Sequence, residues 1–323
     1  AAHALYVAHD PAAAIKLIPA DANGSGYLDF SQQALRAIAL SELGNASARD
    51  ALVALVGAAK LPFQKGTAEL ALAQHDERTG GIDRVYAADS KITDPDVREI
   101  LLRFKAGPPL LRARAGDAKG AKRERDVALY TLLYKDLTRG FYSDFVTDLA
   151  LMPAGVKPIA EDDYTTPSYA NIAIFNGKGS TTGYVCPAIR TTAQTLAAKP
   201  KDSTGLLCLA DFVRTNDLDP DFYGSAHALD DTPAQGELGS TKSLFAGKPF
   251  SRLEVYKGII ADPAAIANNK AYALYRAVNC YAPAGNNACG GVDVPQSQRK
   301  AWFNKLKTGY PATTWAKQLK YYW

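Results

Sequence analysis

The chain has 323 residues, a net charge of +4, 47% hydrophobic and 22% charged residues, which is length enough for a full core and an ordinary globular composition. So small a positive surplus gives no argument for a nucleic-acid partner, and no aromatic-basic interleaving supplies one. No apolar run approaches the roughly 20 residues of a membrane-spanning helix, and one methionine and four histidines leave few candidates for soft-metal or histidine chemistry.

The opening Ala1-Ala2-His3-Ala4 suits either a mature end left by signal cleavage or an interior fragment of a longer chain. Asp10 and Pro11 then give an N-cap and a first-position proline for a helix over 11–17. A helix over 30–43 follows, with Ala34, Leu35, Ile38 and Leu43 inward, and Gly44-Asn45 ends it. Ser47-Ala48-Arg49-Asp50 resembles a capping box and opens 48–59. Leu61-Pro62 interrupts, 67–75 is the next helix, and 82–88 is a short one. Asp94-Pro95 opens 96–105 on Val97, Ile100, Leu101 and Phe104, and Gly107-Pro108-Pro109 stops it.

Residues 116–126 carry Lys119, Lys122, Arg123 and Arg125, readable as a docking patch for an acidic partner or as a solvated loop. The stretch 127–137 has a wide apolar stripe of Val127, Tyr130, Leu133, Tyr134 and Leu137. Gly140 breaks it, and Tyr142, Phe145 and Leu149 continue on a second helix, so the two form an antiparallel hairpin. From Met152-Pro153 to about residue 250 the chain turns rich in Pro, Gly, Asp, Ser and Thr. Only 188–198 and 204–213 read as helices there. Helix resumes over 252–260, and the end reads as three helices, 271–281, 295–307 and 314–323. No series of period-2 strands occurs.

Cysteines stand at 186, 208, 280 and 289. Their even number predicts two disulfides in an oxidising compartment, Cys280–Cys289 across a Pro/Gly turn and Cys186–Cys208 across a loop and helix. Zinc and free buried thiols are the rival readings, and the absence of tight C-x2-C pairs speaks against zinc.

The segment Asp21-Ala22-Asn23-Gly24-Ser25-Gly26-Tyr27-Leu28-Asp29 fits the first nine positions of an EF-hand loop. Asp21, Asn23, Ser25, Tyr27 and Asp29 stand at ligand positions, and Gly26 allows the sharp turn. Gln32 replaces the bidentate glutamate, and Pro19 lies where the incoming helix should run. The alternative is a polar turn whose Asp29 or Ser31 caps the next helix. Asp217, Asp219 and Asp221 read as a solvated acidic loop. Asn176-Gly177-Lys178-Gly179-Ser180 lacks the spacing of a phosphate loop and reads as a turn. His3 and His9 lie at a frayed terminus, His75 at a helix end and His227 in a loop, none beside a nucleophile. Glu161-Asp162-Asp163 beside Tyr164 and Tyr169 could serve glycan stacking and acid catalysis, or simply be solvated. Tyr164, Tyr169 and Tyr223, being in loops, are the candidate interface aromatics.

Near the end, Arg299-Lys300-Ala301-Trp302-Phe303-Asn304-Lys305-Leu306 and Tyr310-Pro311-Ala312-Thr313-Thr314-Trp315-Ala316 resemble tetratricopeptide-type repeats of bacterial envelope proteins. Phe303 and Pro311 have the spacing of that repeat's late aromatic and closing proline. Leu306 stands where a small residue is usual, and the turn between Cys280 and Cys289 is longer than the family's tight connection. The resemblance implies stacked helix pairs and an envelope setting.

These readings predict an all-α fold of stacked helical hairpins, a TPR-like α-solenoid with an irregular, loop-rich centre. Residues 1–152 form its N-terminal part and 153–323 the disulfide-pinned segment with the C-terminal helices, in one continuous superhelix. The expected function is a non-enzymatic secreted or periplasmic scaffold that binds another protein of the envelope. The alternatives are a muramidase-like enzyme acting on envelope glycan and a calcium-stabilised carbohydrate-binding module.

Overall fold

Proline at a first helical position, side-chain N-caps and left-handed glycines divide this chain into helices. The computed structural model describes residues 1–19, 26–159, 168–219 and 233–323. Among the described residues the fold is all-helical, with two isolated bridges, Lys178 to Ala188 and Thr181 to Tyr184, and no strand. Consecutive helices pack on one another through much of the chain. Contacts divide it into two units, Ala1–Leu110 with Thr232–Phe245, and Leu111–Asp231 with Ala246–Trp323. Met152-Pro153, where the composition shifts, lies inside the second.

The first unit contains α1 (Ala2–Tyr6), α2 (Pro11–Lys16), α3 (Tyr27–Glu42), α4 (Ala48–Ala58), α5 (Pro62–Arg78) and α6 (Pro95–Ile100). Asp10 accepts from Ala13 N, and Asp94 accepts from Asp96 N and Val97 N, so both expected caps form. The expected capping box at Ser47 does not: Ser47 donates its N–H and hydroxyl to Asn45 Oδ1 instead. Helix α5 is longer than its apolar pattern suggested. Pro62 starts it, and Gln64 Oε1 accepts from Lys60 N and Leu61 N. Past Ile100 the helix widens into a π turn, Leu101–Lys105. Pro108, expected to stop a helix, starts another, α7 (Pro108–Ala115), because proline at N1 lacks only an N–H that would be unpaired anyway.

Helix α5 ties this unit together with buried carboxylates. Glu69 accepts from Thr93 N (2.7 Å) and Asp94 N (2.6 Å). Asp76 takes Arg49 Nε at 2.8 Å. Glu77 accepts from Gly239 N, Thr241 N and the Thr241 hydroxyl, which anchors residues 233–245. Lys105 donates to Lys242 O, and Leu244 N donates to Lys105 O.

The second unit adds α8 (Lys122–Thr138), α9 (Tyr142–Asp148), α10 (Ile189–Ala198), α11 (Ser203–Thr215), α12 (Arg252–Ala261), α13 (Ala267–Asn279), α14 (Gln296–Gly309) and α15 (Thr314–Gln318). Every residue of α8 from Asp126 to Thr138 is buried, so the expected stripe is a helix enclosed on all sides. Two apolar clusters form. One joins α8, α9, α10 and the outer face of α11 through Leu209, Phe212 and Val213. The other joins α11 to α15 through Leu207, Cys208 and Ala210. The last expected helix is shorter than 314–323. It ends at Gln318, and Leu319 reaches the core on extended backbone.

Both disulfides form as expected, Cys186–Cys208 and Cys280–Cys289. The first clamps the loop before α10 onto α11. There the expected turn at Gly177–Ser180 acquires a reason. A Cβ on Gly179 would stand 2.7 Å from Phe212 N and 2.8 Å from Cys208 O, so only glycine lets the loop lie on the helix. Gly179→Ala is therefore expected to destabilise the chain by about 1–3 kcal/mol, read as a lowered urea midpoint, whereas Gly57→Ala on α4, with open space around it, is not.

Candidate binding surfaces and enclosed polar centres

Three groups of side chains stand out, two enclosed and one exposed. In the second unit, Asp211 on α11 is fully buried. The Tyr272 hydroxyl donates to it, at 2.7 and 2.8 Å from its two oxygens. Arg214 Nε and an Arg276 nitrogen stand 3.4 and 3.5 Å away. Arg276 Nε donates to the Tyr272 oxygen at 2.7 Å, and Arg276 and Arg214 both reach the Thr181 hydroxyl. Burial pushes the Tyr272 hydroxyl up and keeps it protonated. The rings of Tyr184 and Trp315 cover Tyr272, with centroids 4.2 and 4.6 Å away. This centre, with Asp211 and Tyr272 buried and Arg214 and Arg276 reaching toward solvent, joins α11, α13 and the 177–186 loop.

The second enclosed group is a carboxyl pair. Asp136, buried on α8, hydrogen-bonds Asp148 at the end of α9, and its Oδ2 has no partner. Arg112 Nε donates to both Asp148 oxygens, at 2.9 and 3.0 Å, and another Arg112 nitrogen reaches Asp144. Burial first, then the Asp148 charge and hydrogen bond, push the Asp136 carboxyl up to about 9 from 3.8, with Arg112 opposing. Two adjacent carboxyls with one guanidinium hold a proton.

The exposed group lies in the first unit. Tyr27, 68% exposed, and Phe63, 56% exposed, stack with centroids 5.8 Å apart and planes 6° apart. Leu28 beside Tyr27 is 70% exposed. Leu70, one heptad beyond Phe63 on α5 and so on the same helix face, is also exposed.

Of the residues singled out in the sequence, Asp21, Asn23, Ser25, Tyr164, Tyr223, Asp221, His227 and Glu161-Asp162-Asp163 lie outside the described residues. Tyr27 opens α3 with Gly26 as its N-cap, and Asp29 sits within the first turn. Neither Asp29 nor Ser31 caps the helix, because it starts two residues before Asp29; the Ser31 hydroxyl donates to Tyr27 O. Among the described residues no group of three or more His, Cys, Asp or Glu could hold a metal. Tyr169, expected as an interface aromatic, is half-buried against the α8–α10 core. Asp219 is not solvated: Arg252, itself buried, donates to it through Nε at 2.7 Å and holds it at 2.6 Å through a second nitrogen. Lys122 and Arg125 fall inside α8, Lys122 paired to Asp126 and Arg125 to Ala118 O. His75 is buried at the end of α5 against the Ser41 hydroxyl at 2.8 Å, and burial lowers its affinity for a proton.

The apolar pattern places the helix start at 67 and so leaves Phe63 off it, whereas the helix begins at Pro62. Proline at N1 was the signal that would have placed it on α5. No family model, curated protein or solved structure matches the chain, so function is read from these residues.

The carboxyl pair has a measurable consequence. Between about pH 4 and 9 Asp136 holds a proton in the folded chain that it lacks in the unfolded one, because its carboxyl is pushed up from 3.8 to about 9 on folding. Stability is then expected to fall as pH rises through that window, by at most about 1.4 kcal/mol per pH unit. Asp136→Asn keeps a donor for Asp148 without the titration. Its stability relative to the parent is expected to rise steadily from pH 5 to 8.5 in urea unfolding; parallel profiles would refute the shared proton.

Proposed function

We propose that the protein is a non-enzymatic binding protein of an oxidising, extracytoplasmic compartment, and that it docks another protein through the apolar face carrying Tyr27 and Phe63. The single observation behind this reading is that stacked pair, held open to solvent together with Leu28. Exposed aromatic clusters of this kind mark interaction sites, since aromatic rings contribute most to binding where they become desolvated. Two disulfides are compatible with a secreted or periplasmic setting, and among the described residues no helix is long and apolar enough to cross a membrane.

The non-enzymatic reading is supported by where the reactive groups lie. Asp211, Tyr272 and the Asp136–Asp148 pair are spent on one another inside the core. A glycan hydrolase needs two carboxyls flanking an open cleft; at the cleft beside α12 the two that do so, Glu254 and Asp262, each accept a hydrogen bond from their own chain. The resemblance to tetratricopeptide repeats fits the pairing of α13 with α14 and α14 with α15. In this reading those helices are packing units, with Trp302, Leu306 and Trp315 turned into the core.

The test places a photo-crosslinking phenylalanine analogue at position 63 of the full chain, expressed in its native source. One discrete adduct of fixed stoichiometry is expected, and Tyr27→Ser should reduce its yield at least tenfold. Because Tyr27 is exposed, that substitution is expected to change stability by no more than about 0.5 kcal/mol. No adduct, or adduct formation indifferent to Tyr27→Ser, would sink the docking face.

A further inference from the structure

The second unit carries an open cleft of about 670 Å³ beside α12, within the range of small-molecule sites. Its floor is apolar: Leu206 from the start of α11, Phe250, and Val255 and Ile259 from α12. Leu206 and Phe250 pack against both apolar clusters of the unit, so the cleft opens along the seam between them. That seam is fixed. Helix α11 contributes to both clusters, and the 186–208 disulfide and the Asp211 centre hold it in place.

The rim has a charge asymmetry. Four charged side chains line it: Lys201, Lys248, Glu254 and Asp262. Each acid is engaged by its own chain through one oxygen. Glu254 accepts from Lys257 Nζ at 2.8 Å and from Val292 N at 3.1 Å, and Asp262 accepts from Ala264 N at 2.9 Å. Lys201 and Lys248 are exposed and have no ion pair or side-chain hydrogen bond among the described residues. With Glu254 paired to Lys257, the opening is left with two ammonium groups against the single carboxylate of Asp262, a net positive rim.

We propose that this cleft binds a small amphipathic carboxylate, its hydrocarbon chain lying over Leu206, Phe250, Val255 and Ile259 and its head meeting the ammonium groups of Lys201 and Lys248. This is a site distinct from the Tyr27–Phe63 face and independent of it. Burying the chain supplies affinity in proportion to apolar area. The ammonium pair selects the sign of the head group, and because it is exposed, salt weakens that selection. Neutral and cationic amphiphiles of equal length lose the second contribution, and short acids lose the first.

Gly258 provides a clean block. It lies mid-helix in α12 and lines the cleft, and a Cβ built on it meets nothing within 4 Å. A side chain there starts in open space at the cleft and narrows it, and leaving glycine also favours the helix.

The experiment is calorimetric titration of the full chain with dodecanoate below its micelle concentration. Acetate, dodecanol, dodecyltrimethylammonium and phosphatidylglycerol vesicles are run in parallel. Dodecanoate is expected to bind at one site, at least tenfold more tightly than the chain-matched cation and the alcohol, with no binding of acetate. Lys201→Ala with Lys248→Ala should weaken dodecanoate at least tenfold and leave dodecanol unchanged. Gly258→Phe should abolish binding while keeping the parent's unfolding midpoint or raising it. Equal affinity for cation and carboxylate, dodecanoate binding that survives Gly258→Phe, binding to vesicles alone, or no binding at all would each overturn the assignment.

Discussion

The carboxylate of Asp211 constrains the second unit more than any other group. It sits on a helix whose neighbouring residues feed two apolar clusters, so it has no route to water. A buried carboxylate is tolerated only when hydrogen bonds and opposite charge surround it. Tyr272 supplies the hydrogen bond, and Arg214 and Arg276 supply the charge. Each partner comes with geometry attached. Tyr272 and Arg276 lie one turn apart on α13, Arg214 follows Asp211 on α11, and Thr181 joins from the loop that the 186–208 disulfide clamps. Satisfying one charge therefore sets the register of two helices and a loop.

The first unit solves the same problem differently. Helix α5 has weak apolar periodicity because much of its buried face is polar: Gln64, Glu69, Asp76 and Glu77. Glu69 and Glu77 spend their oxygens on backbone N–H groups of segments that have no regular structure of their own. Residues 93–94 and 239–241 are held by carboxylates where a sheet or helix would have used backbone partners. Such bonds stabilise by about 1.5–3 kcal/mol each when the acceptor is charged, and losing the acceptor would leave several buried donors unpaired at once.

These arrangements explain what was legible in the sequence. Signals confined to a few neighbouring residues were read correctly: the caps at Asp10 and Asp94, the breaks at Gly44 and Gly140, the helices over 188–198, 204–213 and 252–260, and both cysteine pairings. Readings that needed to know what lies opposite a residue went astray. Val127–Leu137 reads as a stripe because periodicity shows apolar positions and cannot show that Thr131, Lys135 and Asp136 are buried as well. Asp219 looked solvated because Arg252 is 33 residues away. The anchoring of residues 233–245 to α5 depends on Glu77, 162 residues before Gly239, and no local pattern carries that. At Pro62 and Pro108 the error was in weighting. Proline breaks a helix from within but opens one at its first position, and both prolines stand at that position.

The same distinction separates the two candidate surfaces. Tyr27 and Phe63 belong to neither of the two apolar clusters described in the first unit. Their mutual stacking is worth about 0.5–1.5 kcal/mol, and that is small beside what a buried side chain contributes. Folding alone places little demand on them, which is what leaves this pair available to the proposed docking role. At the cleft the roles are mixed. Leu206 and Phe250 serve two cores as well as the opening, so changing them confounds binding with folding. Lys201, Lys248 and Gly258 touch nothing the core requires. The part of the cleft that is free to be tuned is therefore its rim, and the rim is where the unpaired charge lies.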